Sequence, residues 1–106
     1  MIHQVRDSSQ TKGWSVGPWN SDIPVAIGYA NVGVNEPHHH ESMYEVYLVV
    51  SGSSTAVIDA QQIYLQSGDV LVVEPGESHT FTDNSEDYYH FVIQTPFIPG
   101  DKVIEE

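Results

Sequence analysis

The sequence predicts an all-β protein, a single antiparallel barrel or sandwich of about eight short strands. Three observations predict it. Segments rich in Val, Ile, Tyr and Phe recur at the close spacing of β folds. Clusters of Gly, Pro, Asn, Asp and Ser separate them, and no stretch shows the apolar period of an amphipathic helix.

Along the chain, a strand is expected around Trp14 to Trp19 and another over Val25 to Val34. Tyr44 to Val50 follows, and the Ser51-Gly52-Ser53-Ser54 turn leads to Ser54 to Asp59. Asp59-Ala60-Gln61 joins that strand to Gln62 to Leu65, and Ser67-Gly68-Asp69 leads into Val70 to Val73. Beyond Glu74-Pro75-Gly76-Glu77 comes Ser78 to Thr82, and beyond the polar run 83–87 comes Tyr88 to Gln94. The connections are therefore hairpins or short arches. The segment from Pro96, with Pro99 and Gly100, reads as an exit segment. This gives one domain over 1–106, with a core over about 13–95 and a C-terminal extension over 96–106.

Composition narrows the partners. Fifteen Asp and Glu stand against three cations, Arg6, Lys12 and Lys102, for a net charge of -12, which repels the phosphate backbone and excludes nucleic acid as an expected partner. No apolar run approaches the roughly 18 residues that span a bilayer, and the start, Met1-Ile2-His3-Gln4-Val5-Arg6, lacks a hydrophobic signal core. No membrane association and a cytoplasmic location are expected. With no cysteine, any metal must use nitrogen and oxygen donors. The stretch from Gly13 to Asp101 contains no lysine or arginine, so only a metal is expected to supply positive charge inside.

The informative stretch is Glu36-Pro37-His38-His39-His40-Glu41, followed by Glu45. Alternate side chains of a strand share a face, so His38 and His40 can reach one metal while His39 points away. Glu45 lies far enough on to begin the neighbouring strand. His79, after the Pro75-Gly76 turn, supplies a fourth donor. Three imidazoles and a carboxylate suit Fe, Mn, Ni, Cu or Zn, and suit Mg or Ca poorly.

His38, His40, Glu45 and Gly52 resemble the first motif of the cupin superfamily: HxH, four residues, E, six residues, G. Gly68, Asp69, Pro75, Gly76 and His79 resemble the second. The two span Gly33 to Asn84, about half the chain. Gly33 stands one residue closer than usual, Glu74 replaces the usual first proline, and Asn84 comes one residue late; these departures touch turns, not donors. The resemblance implies a jelly-roll barrel of the double-stranded β-helix type. It further implies that His38, His40, Glu45 and His79 ligate one divalent transition metal per chain, with Fe or Mn favoured, and that the chain pairs as a homodimer.

Other residues take their roles from neighbourhood. Tyr47 shares the strand face of Glu45, and Phe81 that of His79, so both are expected inside, as core filling or pocket lining. Tyr29 and His90 are counted with them as pocket residues. His90 shares its side with Val92 and Gln94, and Tyr89, Phe91 and Ile93 form the more apolar face that a core would want. His3 and His39 read as surface residues. Glu36 is a solvated turn residue or sits at the barrel mouth.

The expected function is a metal-dependent enzyme. The resemblance allows dioxygenase, isomerase or lyase chemistry on a small neutral or metal-chelating molecule, with Tyr47 or Glu45 as the catalytic proton carrier. The alternative is a binding or sensing module whose metal is mainly structural.

Overall fold

Alternation of inward and outward side chains organises two facing sheets in the computed structural model, which describes residues 11–32 and 35–105. The strands are β1 (Lys12–Val16), β2 (Ala26–Ala30), β3 (His38–His40), β4 (Tyr44–Ser51), β5 (Ser53–Ile58), β6 (Gln61–Gln66), β7 (Val70–Val73), β8 (His79–Thr82), β9 (Tyr89–Thr95) and β10 (Lys102–Ile104). One sheet has the order β1-β2-β9-β4-β7, the other β10-β3-β8-β5-β6, and the paired strands run antiparallel. The all-β jelly roll is therefore as expected. Among the described residues the two sheets do not join into one closed ring.

Most strands fall where the sequence places them, with ends shifted by a residue or two. β1 begins earlier than its expected position, at Lys12, and β2 stops at Ala30. Gly33 and Val34 lie outside the described residues, as do His3 and Arg6.

The exit segment differs from expectation. It turns back and ends as β10 on β3, with Lys102 opposite His40 and Ile104 opposite His38. Without β10, the three-residue β3 would be a bare sheet edge, and β10 satisfies its backbone groups. The N–H groups of Glu41 and Glu105 extend the contact, donating to Asp101 and Pro37 at 3.2 and 3.0 Å.

Local chemistry explains the turns. Asp59 and Ala60 form a two-residue hairpin between β5 and β6, both with positive φ, 46° and 69°, the mirror-turn form that follows strand twist. At Gly52, φ is 72° and a Cβ would lie 2.7 Å from the Cα of Tyr88, so the joint between β4 and β5 admits no side chain.

The register fixes which residues meet. Glu45, Tyr47 and Val49 of β4 pair with Gln94, Val92 and His90 of β9 on the inner face. Tyr47, Val49, Ile58, Leu65, Val73, Phe81, Tyr88 and Val92 are the larger members of the buried core. β9 thus presents His90 inward and Phe91 outward, 40% exposed, reversing the side that its apolar content favours. The outer face there is apolar too: Val46 and Leu48 stand between Ile93 and Phe91 on one side and Val72 and Val70 on the other.

Candidate metal centre

Four donors converge from three strands and both sheets: His38 and His40 on β3, Glu45 on β4 and His79 on β8, all buried. One ligand atom from each lies within 4.8 Å of the others. His38 and His79 are cross-strand partners with ring centroids 4.1 Å apart. The four residues singled out as ligands are therefore brought together. His39 points away and its Nδ1 donates to Glu105 Oε2 at 2.8 Å.

The turns on either side set this geometry. Asp101 Oδ2 accepts the N–H groups of Ser42 and Met43 at 2.9 and 2.8 Å, pinning the loop between β3 and β4. Gly76 N–H donates to the His40 carbonyl at 2.7 Å, tying the Pro75-Gly76 turn to the same strand.

The donor set fits a metal. His38 Nδ1 donates to the Glu36 carbonyl at 2.7 Å, which leaves Nε2 as a bare donor, the usual orientation of a ligating histidine. His79 faces two acceptors, the Glu77 carbonyl at 3.1 Å and Glu45 Oε1 at 2.8 Å, so a proton or a metal must lie between Nε2 and the carboxylate. His40 is the clearest case. Both its ring nitrogens are buried without a hydrogen-bond partner, although Nε2 lies 3.3 Å from Glu45 Oε2. A buried polar atom left bare costs about 1–3 kcal/mol, and coordination through one ring nitrogen would remove that cost at that atom.

The carboxylate is ionised. Burial pushes Glu45 up, but His40, His79 and Gln94 together outweigh it and hold the group well below the usual carboxylate range. Burial, reinforced by the charge of Glu45, raises the Tyr47 hydroxyl well above its ordinary value. Tyr47 stays protonated and donates to Glu45 Oε1 at 2.7 Å. Burial lowers His90 to about 4, so it is neutral near pH 7. Tyr88 O–H, at 2.6 Å, suits donation to His90 Nδ1, leaving the ring proton on Nε2.

A cavity of about 710 Å³ opens over the cluster. Tyr47, Phe81 and His90 line it, with the Tyr47 ring 4.9 Å from Phe81 and 5.0 Å from His90. Tyr29 borders it, but its ring stacks on Tyr89, on the sheet face opposite the inward row of Ala26, Gly28 and Ala30. Gln94 was not singled out, yet its amide donates to Glu45 Oε2 at 2.9 Å; its shared parity with His90 was the available signal. Tyr88, on the same parity, was missed in the same way.

One inference from composition is corrected. Lys12 and Lys102 both line the cavity, so a metal is not the sole source of positive charge there. They sit on β1 and β10, and the return of the tail brings the second one in.

A family model described as a cupin domain matches residues 29–93. No curated protein matches the sequence. Among solved structures, a cupin protein from Bacteroides fragilis is 20% identical with TM-score 0.71, over 98% of this chain and 97% of that one. PAC13 of Streptomyces, a nucleoside dehydratase seen with uridine, is 16% identical with TM-score 0.73, over 96% and 84%. KdgF from Halomonas sp. is 17% identical with TM-score 0.66, over 92% and 89%. At these identities the structural likeness concerns the fold. With the family model covering more than half of the chain and the two motifs falling on one buried cluster, the chain belongs to the cupin family.

Proposed function

We propose that the protein is a metal-dependent enzyme, of the dioxygenase, isomerase or lyase kind, that binds one divalent transition metal per chain and acts on a small chelating organic molecule. His40 carries the reading: a buried imidazole that makes no well-formed hydrogen bond, its Nε2 3.3 Å from the ionised carboxylate of Glu45, under a cavity of about 710 Å³. That volume is in the range of small-molecule sites, whereas a purely structural metal needs no such opening. The relative seen with uridine supports a ligand-binding cavity in this fold.

His38, His40, Glu45 and His79 would hold the metal, with Fe or Mn favoured. Bound there, it supplies Lewis-acid polarisation and lowers the pKa of groups that coordinate it. The protein's own groups do the rest. Gln94 fixes one carboxylate oxygen of Glu45, and Tyr47 the other. Tyr47, kept protonated, would be a proton donor, and Glu45 would be the proton acceptor beside it. Phe81 and Val92 exclude water from the floor, and His90 Nε2–H offers a donor to bound substrate.

The chain is further proposed to pair as a homodimer through the outer face of the first sheet. Val46, Leu48, Val70, Val72, Phe91 and Ile93 form an uncharged patch there, where a solvent-facing sheet ordinarily alternates to polar residues. On a chain of net charge -12, such a patch is where two copies meet with least repulsion.

Elemental analysis of tag-free protein tests the site. About one Fe or Mn per chain is expected, falling sharply in His79→Ala and staying near wild type in His39→Ala. No metal under any loading condition overturns the proposal.

A further inference from the structure

Fifteen carboxylates and three cations make up the charge of this chain, and the two cations among the described residues both line the cavity. Each continues an inward-facing row. Lys102 is opposite His40 on β3, and Lys12 is opposite Ala30, which is itself opposite His90. β1 and β10 are the edge strands of the two sheets, so the rows run from the cavity floor to its rim. At the rim Lys102 Nζ holds Glu36 Oε1 at 3.0 Å, whereas Lys12 forms no ion pair among the described residues. Glu36 thus occupies the Lys102 ammonium, and Lys12 is the lining ammonium without an ion-pair partner among the described residues. Asp101 also lines the wall, but its Oδ2 is engaged by the Ser42 and Met43 amides.

We propose that the mouth recognises a carboxylate: the substrate is a small organic anion that chelates at the His/Glu cluster and extends its charged end between Lys12 and Lys102. The inference rests on the metal-site reading above and narrows its substrate class. One ammonium free of an ion pair, beside a second that Glu36 shares, matches a carboxylate better than a phosphate dianion, and Lys ammonium groups serve as point charges without demanding a bidentate fork. The remainder of the protein is acidic and repels anions, so a neutral substrate would give no reason for the scarce cations to gather here.

The probes are benzohydroxamate and 4-carboxybenzohydroxamate, identical chelators that differ by one carboxylate at the far end. Zinc-loaded protein is titrated with each by calorimetry, zinc being free of redox side reactions. The carboxylate probe is expected to bind about fivefold tighter, a preference that shrinks with added salt. In the K12Q/K102Q double variant, checked for zinc content and melting, the affinity ratio should approach one. Equal binding to wild type, or a preference that survives the double substitution, overturns this proposal alone. Failure of both probes to bind fully zinc-loaded protein overturns it together with the open-site reading.

Discussion

His90 shows how a single side chain couples the cavity to pH. Burial lowers it to about 4 from an ordinary 6.5, and burial lowers His38 in the same direction. The unfolded chain therefore takes up protons that the folded protein refuses as the pH falls from about 6.5 to 4. The stability is fully present above that window and is lost through it, at up to about 1.4 kcal/mol per pH unit for each proton. Glu45 is held low instead, and its contribution is lost only below the ordinary carboxylate range, a separate window. Urea unfolding of the metal-free protein should show the midpoint dropping between pH 6.5 and 4, and His90→Gln should flatten that drop. At this scale the sequence was highly informative about ligands. His38, His40, Glu45 and His79 follow from period-two alternation and motif spacing. Tyr88 and Gln94 did not stand out, because what they do depends on the atoms they meet across the fold.

Among the elements, β3 carries two donors on three residues and relies on its neighbours β8 and β10. Asp101, just before β10, accepts two loop amides and thereby holds β3 and β4 at the spacing the donors need. Asp101→Ala leaves both amides bare. It should cost about 2 kcal/mol in urea unfolding and weaken metal retention against a competing chelator; unchanged stability would remove this role. β10 was not foreseen because Lys102-Val103-Ile104 is too short to show alternation, and its pairing partner lies some sixty residues away. The same gap hid the lysine at the mouth. In β9, apolar content pointed the wrong way because both faces of its sheet are rich in large apolar residues, so hydrophobicity alone does not say which side is inside.

For the whole molecule, the uncharged outer face predicts the assembly. Val72, 53% exposed on the edge strand β7, packs beside Val46 on that face. Val72→Lys should convert a sedimenting dimer to monomer with metal content retained; a monomeric wild type would discard the dimer. The distribution of the donors carries a second consequence. β3 and β8 belong to one sheet and β4 to the other, so a bound ion is a removable cross-link between the two layers. It would close long chain segments across the two layers, and its binding energy would add to that of folding. Stripping the ion should therefore speed amide exchange in both sheets together, far from the ligands as well as beside them. If the proposed ion is the catalyst, its loss and the loosening of the scaffold are a single event.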